Sequence, residues 1–162
     1  MIITNAFTRK ESKMNHCPFC NLSENDKKYL IYETPHWSVF LSDKQDYIGR
    51  CIVVLNSHKE SLSALSPNEW ADLKNAVDDI EHKLKTKLGA TMLNWSCLMN
   101  DAYKSTPPCP HVHLHVRPRY SSPITIGDYT FSDECFAHHY DNKLKSNTTK
   151  EVTDLIYKKL KD

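Results

Sequence analysis

The sequence has almost no excess of either charge: 21 basic and 20 acidic side chains leave a net charge of +1 over 162 residues. Nothing in that balance marks a nucleic-acid backbone or an anionic membrane as partner, and no nucleic acid and no membrane is expected. A long apolar run is also missing, since none approaches the ~20 residues of a membrane span. Residues 1–15 hold no long apolar block and no cleavage-like site, so they do not read as a secretory signal. Residues 1–16 are expected to be a mobile polar leader. Without such a signal the six cysteines do not read as a disulfide framework, and a chain of this length can bury a core without staples. Cys51, Cys97, Cys109 and Cys135 are expected to be small apolar fillers. A cytoplasmic location follows as an expectation, and it makes the glycosylation-like patterns Asn94-Trp95-Ser96 and Asn147-Thr148-Thr149 accidental. Internal repeats and low-complexity segments are absent.

What is present is ordinary globular material, 40% apolar and 25% charged, enough for one domain. Residues 29–34 and 37–42 are short β-rich runs parted by Pro35-His36, as in a meander. Gly49 opens a third, apolar strand over 50–55. Ser66, Pro67 and Glu69 form a helix start with a capping box. Trp70, Leu73, Val77, Ile80, Leu84 and Leu88 then recur on one stripe until Gly89 ends the helix. A fourth strand is expected over 92–99, a loop with three prolines over 100–110, and a strictly alternating strand over 111–119. Residues 128–140 are rich in aromatics and histidine. Thr148 with Glu151 reads as a second capping box, opening a short amphipathic helix through Val152, Leu155, Ile156 and Leu160. The fold class is therefore α+β: a mostly antiparallel five-stranded sheet with one long helix packed across it. Residues 121–162 form a C-terminal extension packed on the same domain.

His111, His113 and His115 stand at i, i+2 and i+4, so a strand points all three to one face. Val112, Leu114 and Val116 point to the other. Three imidazoles on one face each need hydrogen-bond partners or a metal, which argues for function over a merely solvated face. Two chemistries suit them. His-x-His on a strand can chelate an ion. A neutral imidazole is also a nucleophile toward phosphorus, with neighbouring histidines donating to phosphate oxygens or to the leaving group.

The run His111-Val112-His113-Leu114-His115-Val116, followed by Arg117-Pro118-Arg119, resembles the signature of the histidine-triad (HIT) family, His-φ-His-φ-His-φ-φ with φ apolar. The order of elements matches too, and the resemblance covers residues 17–120. It implies a nucleotide hydrolase or transferase acting at the α-phosphate of a dinucleoside polyphosphate or nucleoside phosphoramidate, through a covalent nucleotidyl-histidine. It implies His113 as nucleophile and His115 as its partner at the phosphate. It also implies Asn100 as a contact to the bound nucleotide, although as a residue alone Asn100 suits a turn. A purine nucleotide or dinucleoside polyphosphate is the implied ligand, and a homodimer joined across the long helix and an edge strand the implied assembly. A nucleotide-binding regulatory module with little turnover, or a metal-dependent hydrolase, are the competing readings.

Cys17-Pro18-Phe19-Cys20 has the spacing of half a zinc site. The spacing also resembles the redox motif of glutaredoxin, but that needs a strand before and a helix after, and here polar residues precede and a loop-like stretch follows. Zinc-bearing branches of the histidine-triad family, including bacterial-type diadenosine tetraphosphate hydrolases, and the related galactose-1-phosphate uridylyltransferases combine such a pair with two histidines. Those map onto His58 and His111, so the resemblance implies a structural zinc held by Cys17, Cys20, His58 and His111. His58 as a surface turn residue and free thiols are the alternative.

The chain departs from the family in the loop before the triad. Where a Gly-rich stretch is common, Thr106, Pro107, Pro108, Cys109 and Pro110 stand, and prolines donate no N–H. Ser105 or Thr106 could serve the phosphate instead. The ribose-binding acid has no clean match beyond Asp43, beside Ser42. Phe19 matches a position lining the base pocket, or is plain core. Arg117 and Arg119 could attract a polyphosphate tail, or be solvated strand-end charges.

Overall fold

The computed structural model describes residues 16–141, 143–145 and 147–162, so residues 1–15 of the expected leader lie outside the described residues. A five-stranded sheet runs β1 (Leu30–Glu33), β2 (Trp37–Leu41), β3 (Cys51–Leu55), β5 (His113–Arg119) and β4 (Met92–Ser96) in spatial order, with every neighbouring pair antiparallel. Helix α1 (Pro67–Leu88) packs across one face. The alternation of β2, β3 and β5 explains why. Val39, Leu41, Cys51, Val53, Leu55 and Val116 enter one core with Leu73, Ala76, Ile80, Leu84 and Leu88 of the helix. The cysteine at 51 is fully buried there, as an apolar filler is.

The capping box forms as read: the Ser66 hydroxyl accepts from Glu69 N, and the Glu69 carboxylate accepts from Ser66 N at 2.7 Å. Gly89 stops the helix in the left-handed region at φ +74°. Gly49 has φ +80°, and a Cβ there would meet Leu88 Cδ1 at 2.6 Å, so glycine lets the end of α1 lie against the entrance to β3.

The structure corrects several expectations. Trp70 is 46% exposed and does not belong to the buried stripe. The first turn of α1 is oriented by polar contacts instead. Asp72 accepts from the Thr34 hydroxyl and His36 N, and Trp37 Nε1 donates to Glu69 O, which leaves Trp70 outside. β4 ends at Ser96, short of Met99. The last helix, α2 (Lys150–Lys161), is capped by Thr149, whose hydroxyl accepts from Val152 N, so Thr148 and Glu151 do not form the capping box. A hairpin of β6 (Ile124–Ile126) and β7 (Tyr129–Phe131) was not foreseen, although Gly127-Asp128 between two alternating triplets is a hairpin signal.

Polar contacts at two places help attach the C-terminal extension. The Tyr157 hydroxyl and Lys161 ammonium bond Leu30 O, so α2 covers the outer edge of β1. Arg119, at the end of β5, grips the loop after β7: its guanidinium reaches Asp133 at 2.6 and 3.0 Å and the His138 carbonyl at 2.9 Å.

Candidate active site and metal centre

The face of the sheet opposite α1 carries the odd-numbered side chains of β5. Register places His113 beside Val54 of β3, and His115 between Ile52 of β3 and Ser96 of β4. His113 Nδ1 lies 2.8 Å from the His111 carbonyl oxygen. An oxygen there only accepts, so Nδ1 carries the hydrogen and Nε2 keeps its lone pair. The His115 ring stands edge-on to His113, with centroids 4.9 Å apart at 84°. Burial, then the charges of His113, Arg50 and Arg117, push His115 down to about 4, so it is a neutral N–H donor at neutral pH. Both rings line a cavity of about 530 Å³, closed by Phe19, Met99, Asp101 and Ser105 among others.

Phe19 also lines a second pocket of about 160 Å³, made largely of apolar side chains from β2 and β3 with Ser42 and Asp43 beside them. Its ring sits 4.7 Å from that of His113 and 5.4 Å from that of His111. One aromatic residue thus joins an apolar slot to the histidine cavity.

Phe19 is placed by the residues flanking it. Cys17, Cys20, His58 and His111 bring their ligand atoms within 4.8 Å of one another. The separations are 3.2 Å for Cys17 Sγ–His111 Nδ1, 3.4 Å for Cys20 Sγ–His58 Nδ1, 3.6 Å for Cys20 Sγ–His111 Nδ1 and 3.2 Å between the two Nδ1 atoms. A zinc tetrahedron with Zn–N of ~2.0–2.1 Å and Zn–S of ~2.3 Å has edges of about 3.3 Å for N–N and about 3.6 Å for N–S. The four groups therefore fit that ion. His111 Nε2 lies 2.7 Å from Leu55 O, which fixes the hydrogen on Nε2 and turns the Nδ1 lone pair to the centre. Burial and the adjacent Cys17 push the Cys20 thiol up to about 12, a shift that a dication at the centre reverses.

The two histidines of this cluster are held by the start of α1. Glu69 accepts from the Ser57 hydroxyl at 2.7 Å and from the Lys59 ammonium at 2.6 Å, clamping both neighbours of His58. Val112 N donates to Lys59 O at 2.8 Å, tying that loop to the residue after His111. Burial alone would raise the Glu69 carboxyl; Lys59, Ser57 and the Ser66 amide hold it down to about 2.

Of the other expected residues, Ser105 lines the large cavity, with its hydroxyl donating to Ala102 O at 3.1 Å. Asn100 opens a 3₁₀ turn, Asn100–Tyr103, and is exposed beside the lining residues Met99 and Asp101. Thr106 is exposed. Asp101 and Cys109 line the cavity and were not foreseen, because a loop's side chains take their direction from tertiary packing. Arg117 and Arg119 are not solvated: they are 6% and 1% exposed. Arg119 is saturated by Asp133 and backbone carbonyls, whereas Arg117 packs under the Tyr140 ring at 4.4 Å.

Comparison with known proteins agrees with this architecture. The HIT domain profile matches residues 23–122, more than half of the chain. An uncharacterized 16.1 kDa HIT-like protein of Mycoplasma pneumoniae is 26% identical over 109 residues, covering 67% of this chain and 74% of that one. The asymmetrical bis(5'-nucleosyl)-tetraphosphatase of Schizosaccharomyces pombe is 24% identical over 104 residues, or 64% of this chain, and the chain spans only 56% of that enzyme's length. Among solved structures, a hypothetical histidine triad nucleotide-binding protein from Sulfolobus tokodaii superposes with TM-score 0.64 at 18% identity, over 90% of this chain and 89% of that one. A zinc-bound histidine triad family protein from Mycobacterium smegmatis gives TM-score 0.58 at 21% identity, over 91% and 94%. At these identities the two structures speak for the fold, and the profile match speaks for the family. The chain belongs to the HIT domain family.

Proposed function

We propose that this protein cleaves a nucleotide at its α-phosphate, with His113 as the nucleophile. The observation that carries the reading is the tautomer: the His111 carbonyl takes the Nδ1 hydrogen, and Nε2 keeps its lone pair in a ring that lines a cavity beside a second N–H donor. In the first step Nε2 forms a bond to the α-phosphorus while the bond from phosphorus to the leaving group breaks, and the electron pair departs with that group. A polyphosphate leaves as an anion, whereas the amine of a phosphoramidate takes its proton from solvent, because neutral His115 can hydrogen-bond the reacting group but does not release its own N–H hydrogen. In the second step water attacks phosphorus, the P–N bond breaks and Nε2 regains its lone pair; the water's proton passes to solvent. Positioning and electrostatics supply most of the acceleration.

The slot formed by Phe19 with β2 and β3 would take a purine base, with Asp43 near the ribose; Ser105, Thr106 and Asn100 would meet the phosphates. The substrate class is a dinucleoside polyphosphate or a nucleoside phosphoramidate, the former in keeping with the tetraphosphatase relative. Zinc held by Cys17, Cys20, His58 and His111 would supply structural rigidity. Four protein ligands complete a tetrahedron, so the ion serves to hold Phe19 and β5 rather than to activate water. In this reading the protein works as a cytoplasmic homodimer, built on α1 and the β4 edge, where Met92 and Trp70 are exposed.

The test is turnover of diadenosine tetraphosphate and of adenosine phosphoramidate by wild type and His113→Ala, each with and without chelator. Wild type is expected to turn over at least one of them, with a loss of about three orders of magnitude or more in the variant. Acid-quenched wild-type enzyme should also carry a nucleotidyl mass increment on His113. Full activity in His113→Ala overturns the assignment. Loss with chelator at intact fold would favour a metal-dependent hydrolase, and nucleotide binding without turnover a regulatory module.

A further inference from the structure

The row of same-face side chains on β5 continues past the histidines. His113, His115 and Arg117 stand at successive positions about 6–7 Å apart. Arg117 is 6% exposed, and its Nε and one Nη are buried with no hydrogen-bond partner among the described residues. No carboxylate there is within ion-pair distance of it. Cys51 pairs with Val116, which places Arg50 beside Arg117 across the sheet. Arg50 is bound at 2.8 and 2.9 Å by Asp46, yet its own Nε is also buried and unpartnered. Of these two neighbouring guanidinium groups, only Arg50 has a carboxylate within ion-pair distance. A buried cation without a counter-charge is costly unless an anion completes it. Arg119 cannot play that part, because Asp133 and two carbonyls occupy it.

Beside this row lies a cavity of about 630 Å³, between β4 and the C-terminal extension. Asn94 and Ser96 line it, and they are the cross-strand neighbours of Arg117 and His115. The Ser96 hydroxyl is a further buried polar atom without a partner. His138, His139 and Tyr140 form the opposite wall, and Tyr140 lies over the Arg117 guanidinium.

We infer that Arg117, with Arg50 and Ser96, forms a binding site for a phosphate-type oxyanion beneath Tyr140. Guanidinium suits this ligand, since it offers a planar fork of donors to phosphate oxygens. The anion is either the phosphate chain of the bound nucleotide, running from His113 past His115, or a separate inorganic phosphate. The first source rests on the function proposed above; the second does not.

Calorimetric titration of the full-length, zinc-loaded protein tests the site, on a His113→Ala background that blocks turnover, with AMP, ATP, inorganic tripolyphosphate and inorganic phosphate. ATP is expected to bind at least tenfold more tightly than AMP, and tripolyphosphate to bind measurably. Arg117→Met should weaken both ATP and tripolyphosphate about tenfold or more while leaving AMP within about twofold, and Arg117→Lys should restore part of the loss. Competition between ATP and tripolyphosphate identifies the nucleotide's own phosphates as the occupant. Phosphate and AMP binding together, each indifferent to the other, identifies a separate anion. Absence of tripolyphosphate binding to the protein with Arg117 intact overturns the site, whether or not Arg117→Met folds. So does an affinity unchanged by that substitution. Failure of AMP to bind, with tripolyphosphate still bound through Arg117, would instead count against the nucleotide reading and leave the anion site standing.

Discussion

An imidazole attacks through whichever ring nitrogen lacks a hydrogen, and in this protein the backbone makes that choice twice. The His111 carbonyl takes the Nδ1 hydrogen of His113, and the Leu55 carbonyl takes the Nε2 hydrogen of His111. Adjacent same-face histidines are thereby set to opposite tautomers, one with its lone pair on Nε2 and the other with its lone pair on Nδ1. Removing one ligand should show the difference. Cys20→Ser is expected to drop zinc content below half an equivalent and to lower the melting temperature by several degrees, read by metal analysis and calorimetry on protein prepared without chelator. His115 supplies a pH signature. It titrates near 4 in the fold against 6.5 unfolded, so as pH falls the unfolded chain takes up its proton first. The stability it contributes is whole above pH 6.5 and is lost as pH falls toward 4. Urea midpoints at pH 7 and 4.5 should therefore fall further for wild type than for His115→Gln; equal falls would contradict the assignment.

Helix α1 does more than cover the sheet. Its first turn exposes backbone N–H groups that the Ser66–Glu69 box satisfies, and Ser66→Ala should cost about 1 kcal/mol in urea unfolding. The same Glu69 carboxylate holds Ser57 and Lys59 on either side of His58. Glu69→Gln keeps the size and loses the charge, so zinc affinity should weaken about tenfold, measured by competition with a chromogenic chelator. A serine-capped helix was legible from Ser66, Pro67 and Glu69 alone, because capping is local chemistry. That the cap also braces His58 of the Cys/His cluster was not legible. It depends on the loop after β3 passing over the helix start, which the tertiary fold decides.

At the scale of the whole molecule, a buried ion pair helps fasten the extension after β5. Arg119 and Asp133 side chains are each 1% exposed. Asp133→Asn leaves a buried guanidinium short of its counter-charge and should cost about 3–5 kcal/mol, with faster amide hydrogen exchange across residues 131–141. Periodicity alone settled the α+β class, the long helix and three histidines sharing one face, because a strand's period of two and a helix's of 3.6 are written in the order of the residues. The Cys17, Cys20, His58 and His111 cluster was readable only through family resemblance, since its members are up to 94 positions apart. Two outcomes belonged to the tertiary structure. Trp70 was assigned to the core by spacing, but polar contacts of Glu69 and Asp72 set the roll of the helix and left it outside. Arg117 and Arg119 look alike in sequence, yet Arg119 is saturated by the extension, whereas among the described residues buried Arg117 has no acid within ion-pair distance. Burial and pairing depend on what the chain brings back from far away, and that is decided by packing rather than by any local pattern of residues.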